Sequence, residues 1–238
     1  MYLEQRYGRN LDVGAAELAK GARRRRIAGV LLRDESAACG EGEVEVAQSV
    51  RGVAVTEHDV FLFQTGMTAI WFAHQLALDV RGAKKSVCFG CVLFVFSRFA
   101  ELKPHTHLVS FPYTDTLKVL EKWGPGCYFL GHGLDSSIDE LEAILEAERA
   151  QNPHEPPILA LFTEFPSNPL LRSADLSRLR TLADKYDFLI VIDDTIGNFI
   201  NVETLPFADI VVTSLSKIFS GDSNVMGGRY VFFFAVGA

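Results

Sequence analysis

Three short apolar runs in the second half of the chain constrain its fold more than any other feature. They cover residues 158–162, 188–192 and 209–213, and none of them alternates apolar with polar residues. Such a run is typical of a strand that is buried on both faces, and helix-like segments separate the runs. The sequence therefore predicts an α/β fold with a mainly parallel sheet covered by helices on both faces.

A polar cluster follows each of these apolar runs. Asn168 lies in the segment after the first run, Asp193 follows the second, and Lys217 comes shortly after the third. Ligands of such sheets bind at the carboxyl ends of the strands, so the three side chains are candidates for one site. Each also has an ordinary explanation, because a strand-end aspartate is often a helix cap and a lysine is usually a surface residue.

The candidate site also contains groups that suit an anion. Gly66 and Met67 open a helix-like stretch after a strand-like run, and Ser214 and Ser216 precede Lys217. Backbone N–H groups at the start of a helix bind phosphate, and a lysine amine attacks carbonyl groups. A nucleotide-binding domain is the weaker interpretation, since no Gly-x-Gly-x-x-Gly motif follows a strand.

Composition excludes several other classes of protein. The 238 residues carry a net charge of −7, which argues against a nucleic-acid partner. The most apolar run is too short for a membrane-spanning helix and the N-terminus lacks a signal peptide, so we expect a cytoplasmic protein with no membrane partner. The four cysteines show no metal-site or disulfide spacing, so no metal is expected. The arginine run 23–26 is expected on a solvated helix face or in a subunit contact.

Four segments, in order along the chain, resemble motifs of the Cys/Met-metabolism family of enzymes that depend on pyridoxal 5′-phosphate (PLP). Residues 65–70 resemble its phosphate loop, and residues 164–169 resemble Glu-x-Pro-(Ser/Thr)-Asn-Pro. Residues 191–195 (Val-Ile-Asp-Asp-Thr) are similar to Val-Val-Asp-Asn-Thr, and residues 210–217, with two later glycines, to the lysine signature. The sequences of these segments are most similar to those of the fungal cystathionine γ-synthase-like branch. The resemblance implies the PLP-transferase fold (fold type I, aspartate aminotransferase-like), with the small C-terminal domain missing.

The resemblance also implies a role for individual residues. It makes Lys217 the Schiff-base lysine and the catalytic residue, and Asp193 the partner of the pyridine nitrogen of PLP. The other implied cofactor-binding residues are Gly66, Met67, Ser214 and Ser216 at the phosphate, Asn168 near O3′ and the substrate carboxylate, Thr195, Phe89 stacked on the ring in place of the usual tyrosine, and Tyr7 and Arg9 at the phosphate of a neighbouring subunit.

The implied reaction is a γ-replacement. Cysteine would displace the acyloxy group of an O-acylhomoserine to give cystathionine, a step of transsulfuration and methionine biosynthesis, in a homo-oligomer (dimer or tetramer). A γ-lyase, a β-lyase, an acylhomoserine sulfhydrylase and a non-catalytic remnant remain alternatives.

The domain organisation is expected to have two parts. Residues 1–58 form an N-terminal arm and helical segment, and residues 59–238 form the PLP-binding large domain. Residues 91–110 interrupt the resemblance and are interpreted as a retained intron translated in frame, or alternatively as a genuine insertion. Residues 229–238 are interpreted as an aberrant C-terminus.

Overall fold

The computed structural model describes residues 13–31, 55–90, 114–198, 201–222 and 224–232. Tyr7, Arg9, the interruption 91–110 and residues 233–238 lie outside the described residues. The helices are α1 (Val13–Leu31), α2 (Gly66–Arg81), α3 (Thr114–Lys122), α4 (Asp135–Gln151) and α5 (Leu176–Tyr186). The strands are β1 (Val60–Phe63), β2 (Ser86–Phe89), β3 (Cys127–Leu130), β4 (Ala160–Glu164), β5 (Leu189–Asp193), β6 (Ile210–Ser214) and β7 (Gly228–Phe232). A 3₁₀ turn (Glu57–Asp59) precedes β1, and a π-helical turn (Leu215–Phe219) follows β6.

The described strands form one seven-stranded sheet in the order β1-β7-β6-β5-β4-β2-β3. The pairs β6–β5, β5–β4, β4–β2 and β2–β3 are parallel. β7 lies between β1 and β6 and is antiparallel to both. The predicted α/β fold with a mainly parallel sheet is therefore confirmed. The antiparallel β7 was not predicted, and the expected boundary at residue 229 falls inside this strand.

The three predicted apolar strands are β4, β5 and β6, and each continues one or two residues beyond its apolar run. Backbone pairing explains the extension, since Glu164 pairs with Asp193 and Ser214 pairs with Gly228. Ladder hydrogen bonds depend on the backbone and not on side-chain polarity, so they extend each strand onto the polar residues that follow it.

Helices cover both faces of the sheet. On one face, Ile70, Ala73 and Ala77 of α2 pack against strand residues that include Phe162 and Val191. On the other face, α4 and α5 pack against the alternate strand residues, through side chains that include Ile138, Leu141, Leu145, Leu176, Leu179, Leu182, Leu161, Ile190 and Ile192. Leu176, Leu179 and Leu182 recur at a spacing of three residues, which indicates one helix face, and all three are buried in α5.

Local signals in the sequence set the ends of α5. The Asp175 side chain accepts a hydrogen bond of 3.0 Å from the Arg178 N–H, which satisfies one of the free donors at the helix start. Asp187 ends the helix in the left-handed conformation, with φ of 57°.

The arginine run lies on α1. Arg23, Arg25 and Arg26 are exposed, and Arg25 forms an ion pair of 3.3 Å with Glu57. This arrangement agrees with the solvated helix face expected from the sequence. Among the helices that the structure describes, none combines the length and apolar character needed to cross a membrane.

Candidate active site

A cavity of about 510 Å³ opens at the carboxyl ends of the central strands. The terminal residues of β4, β5 and β6 (Glu164, Asp193 and Ser214) all contribute to its wall. The other described residues that line it are Thr65, Gly66, Met67, Ile70, Pro166, Asn168, Thr195, Ile196, Ser216, Lys217 and Met226. The structure thus brings together the predicted residues of three strand ends and of the helix α2 start, as the parallel topology requires.

The first turn of α2 forms one end of this cavity. Thr65 caps the helix, and its hydroxyl accepts a hydrogen bond of 3.0 Å from the Thr68 N–H. A Cβ atom added at Gly66 would lie 2.7 Å from the Ser214 Cβ, so only glycine allows this close approach of α2 to the end of β6. The arrangement places helix N–H groups and the Ser214 hydroxyl side by side, which suits a phosphate group.

Asp193 forms a second polar feature of the cavity. The Thr195 hydroxyl and the Thr195 N–H donate hydrogen bonds of 2.5 Å and 3.0 Å to its Oδ1 atom. The Thr195 hydroxyl in turn accepts from the Ser214 N–H at 2.8 Å, which fixes its orientation. Burial raises the pKa of Asp193, while the two bonds from Thr195 and the charge of Arg229 lower it. Thr195 therefore orients the carboxylate and favours its ionised form.

Glu164 is a second carboxyl group on the cavity wall. Burial raises its pKa to about 7, against a hydrogen bond from the Asn168 N–H that lowers it; the neighbouring charge of Asp193 raises it further. That hydrogen bond joins the Asn168 nitrogen to Glu164 Oε2 at 2.9 Å. Glu164 thereby ties the Asn168 loop to the end of β4.

Lys217 lies in the π-helical turn that follows β6, and its side chain is exposed to the cavity. The turn is bonded to Gly227, the residue directly before β7. The Gly227 N–H donates to Ser216 Oγ at 2.9 Å, and the Leu215 N–H donates to the Gly227 oxygen at 2.9 Å. The predicted Lys217 and Asp193 side chains line the same cavity.

Phe89 does not take the position predicted from the sequence. Its side chain is fully buried and packs in the core with Val87, on the face of the sheet opposite α2, and it is not among the described residues that line the cavity. The physical reason is strand alternation, because Cys88 and not Phe89 points towards α2. The ring-stacking role predicted for Phe89 is therefore corrected. The structure makes no statement on Tyr7 and Arg9, which lie outside the described residues.

Three charged residues at the site received no role from the sequence. Glu164 stood inside the motif of residues 164–169, and Asp194 stands where the motif of residues 191–195 has asparagine. Arg229 is a charged residue within an apolar segment, which is a signal for a buried ion pair. In the structure Arg229 Nη2 lies 3.5 Å from Asp194 Oδ2, and both side chains are fully buried.

Comparison with known proteins agrees with this geometry. A family model described as "Cys/Met metabolism PLP-dependent enzyme" matches residues 131–232. This part of the chain is similar to that family. The family consists of PLP-dependent enzymes, and the matched part contains Asn168, Asp193 and Lys217, whereas Gly66 and Met67 precede it.

Two fungal relatives match along nearly the whole chain. One is a "cystathionine gamma-synthase-like enzyme iboG2" of Amanita muscaria, 58% identical over 236 residues, with 96% of this chain and 34% of the relative covered. The other is a "cystathionine gamma-synthase" of Neurospora crassa, 46% identical over 236 residues, with 97% and 34% covered. The chain thus spans about a third of the length of these relatives.

A solved structure shows the same fold. Apo CalE6, a methionine gamma lyase from Micromonospora echinospora, matches with a TM-score of 0.55 at 18% identity, over 88% of this chain and 56% of that protein. This chain therefore shares the fold of about half of that protein's length.

The described residues fit the cofactor of the family. PLP carries a phosphate, an aldehyde and a basic ring nitrogen, and the cavity offers a helix N-terminus with hydroxyls, a lysine amine and a carboxylate. The close approach of Gly66 to Ser214 keeps the first turn of α2 beside the Ser214 hydroxyl, so the donors that suit the phosphate lie together.

Proposed function

We propose that the protein is a PLP-dependent, cystathionine γ-synthase-like transferase that replaces the acyloxy group of an O-acylhomoserine with cysteine. The observation that carries the proposal is the presence of Lys217 and Asp193 on one cavity that also contains polar groups suited to a phosphate. The similarity to the Neurospora crassa enzyme supports γ-replacement as the reaction. Bound PLP supplies an electron sink for negative charge that develops on the substrate.

The cofactor-binding residues fall into groups according to the part of PLP that each binds. Gly66 and Met67 provide N–H groups at the start of α2, and Ser214 and Ser216 provide hydroxyls, so these four bind the phosphate. The Asp193 carboxylate accepts a hydrogen bond from the protonated ring nitrogen, and Thr195 keeps that carboxylate oriented. Asn168 lies next to Glu164 and binds the polar substituents of the ring and of the substrate.

Lys217 is the proposed catalytic residue. Its amine would hold the cofactor covalently and, once the substrate amine took its place, would be free to accept the proton from the substrate Cα. Ile70, Ile196 and Met226 supply apolar surface in the same cavity, which reduces the access of water to the reacting atoms.

In the proposal the protein acts as a cytoplasmic homo-oligomer in which Tyr7 and Arg9 reach the phosphate of a neighbouring subunit. Measurement of the molecular mass in solution tests the oligomer.

Replacement of the lysine tests the assignment directly. We expect purified protein with PLP to show a visible absorption band, and borohydride to fix the cofactor on Lys217, as located by peptide mass spectrometry. Lys217→Ala should remove both signals, whereas the matched control Lys118→Ala, an exposed lysine on α3, should retain them. A reducible band in Lys217→Ala would show that another amine binds the cofactor.

Substrate assays distinguish the proposed transferase from the related activities. O-acylhomoserine with cysteine should give cystathionine, detected by mass spectrometry. Turnover of cystathionine alone would indicate a lyase, and preference for sulfide over cysteine would indicate a sulfhydrylase. A protein that binds PLP without turnover of any of these substrates would support the non-catalytic alternative.

A further inference from the structure

Two consecutive aspartates at the end of β5 point to opposite faces of the sheet. Asp193 lines the cavity on the α2 side, whereas Asp194 is fully buried. Successive side chains of a strand alternate in direction, so two carboxyl groups lie close together with the β5 backbone between them. A buried carboxylate is costly without a counter-charge, and this strand end has two acids.

Arg229 provides the counter-charge from two strands away. Arg229 on β7 is the backbone pairing partner of Thr213 on β6. The Thr213 hydroxyl donates a hydrogen bond to Asp194 Oδ1. Arg229 Nη2 lies 3.5 Å from Asp194 Oδ2. Asp194, Thr213 and Arg229 have 0%, 1% and 0% of their surface exposed, so the row across β5, β6 and β7 lies in the interior.

The charges of this row extend to Asp193. Burial raises the pKa of Asp194 to about 6, and the charge of Arg229 is the largest of the effects that lower it. The same charge lowers the pKa of Asp193. Burial lowers the pKa of Arg229 to about 10, so it remains charged at neutral pH. When both aspartates are ionised, two carboxylates and one guanidinium leave one net negative charge. Glu164 on β4 and Lys217 on the π-helical turn line the same cavity as Asp193.

We infer that Arg229 is a positioning residue that acts through Asp194: it holds a positive charge behind Asp193, favours the ionised form of Asp193, and leaves the fully ionised cluster with one negative charge for a cation in the cavity. That this cation is the protonated ring nitrogen of the cofactor rests on the proposed function. A protonated pyridine nitrogen would bring the cluster to neutrality. The positive charge of Arg229 lies on β7, and no residue of β7 is among the described residues that line the cavity.

The first measurement needs no cofactor. Carbon-13 NMR of cofactor-free protein labelled at the aspartate carboxyl carbons follows the titration of Asp193, which the spectrum of Asp193→Asn identifies. Arg229→Met should increase the proton affinity of Asp193 about tenfold, one unit in its titration midpoint, because the neighbouring positive charge is lost. Arg229→Lys should keep the wild-type titration.

Asp194→Asn is the second variant, and it has the residue found at this position of the family motif. It removes a negative charge beside Asp193 and retains Arg229, so the proton affinity of Asp193 should decrease. A merely structural role of the buried pair would change the melting temperature of the variants and leave this titration unchanged. The opposite directions expected for Arg229→Met and Asp194→Asn keep the inference testable even if one variant does not fold.

The second measurement is the affinity for PLP as a function of pH, followed by the visible band. At pH values below the Asp193 titration midpoint, Arg229→Met should bind PLP about tenfold more weakly than Arg229→Lys, and the difference should disappear at higher pH where Asp193 is ionised in both. An unchanged Asp193 titration in Arg229→Met and Asp194→Asn would overturn the inference. If the titrations shift as expected and the wild-type protein binds no PLP, the proposed function fails and the role of Arg229 towards Asp193 stands.

Discussion

Replacement of Glu164 by glutamine should change how the stability of the protein depends on pH. Burial raises the pKa of this carboxyl from 4.5 to about 7, despite the hydrogen bond from the Asn168 N–H. Between these two pH values the folded protein keeps a proton on Glu164 that the unfolded chain has already released. The favourable contribution of the protonated group is therefore fully present below about pH 4.5 and is lost as pH rises through about 7.

The size of the effect follows from the difference between the two pKa values. One unit corresponds to about 1.4 kcal/mol, so ionisation of Glu164 should cost the folded protein about 3 kcal/mol above pH 7. Glutamine has nearly the same shape and cannot ionise. The free energy of unfolding of Glu164→Gln should therefore increase, relative to wild type, by about 3 kcal/mol between pH 4.5 and about 7.5.

Urea denaturation of the cofactor-free proteins at a series of pH values measures this difference. The matched control is Glu140→Gln, an exposed position on α4, for which the difference from wild type should stay within about 0.5 kcal/mol. A difference between Glu164→Gln and wild type that is constant with pH would refute the reasoning, because it would show that Glu164 has the same proton affinity in the folded and unfolded states.

Two further predictions concern His74 of α2 and Gly228 of β7. Burial lowers the pKa of His74 to about 4. The free energy of unfolding of wild type should therefore rise by about 3 kcal/mol relative to His74→Leu between about pH 4 and 6.5, the opposite sign to Glu164. The same pH dependence of unfolding in the two proteins would contradict this prediction. A Cβ atom at Gly228 would lie 2.1 Å from the Thr65 backbone oxygen. The free energy of unfolding of Gly228→Ala, measured by urea denaturation, should therefore be about 1–3 kcal/mol lower than that of wild type. Gly29→Ala, with open space at its Cβ on α1, is the control and should be neutral or stabilised.

Several features of the fold were predictable because they depend on local patterns. The unbroken apolar runs indicated buried parallel strands, and the leucine spacing indicated the buried face of α5. Asn168, Asp193 and Lys217 could be expected at one cavity because the carboxyl ends of parallel strands meet at one edge of the sheet.

Other features depend on strand pairing between distant residues. The sequence contained no local signal that Gly228–Phe232 would insert antiparallel between β1 and β6. Phe89 follows two strand residues of similar character, so the direction of its side chain was known only once β2 was paired and its alternation was fixed.

The sequence by itself therefore determined the chemical groups of the candidate site and the edge of the sheet where they would meet. Tertiary structure alone decided which acid of the Asp193–Asp194 pair faces the cavity and which faces Arg229. The physical reason is that apolar and polar patterns select an element and its buried face, whereas long-range backbone pairing sets the register that aligns Asp194, Thr213 and Arg229 in one row.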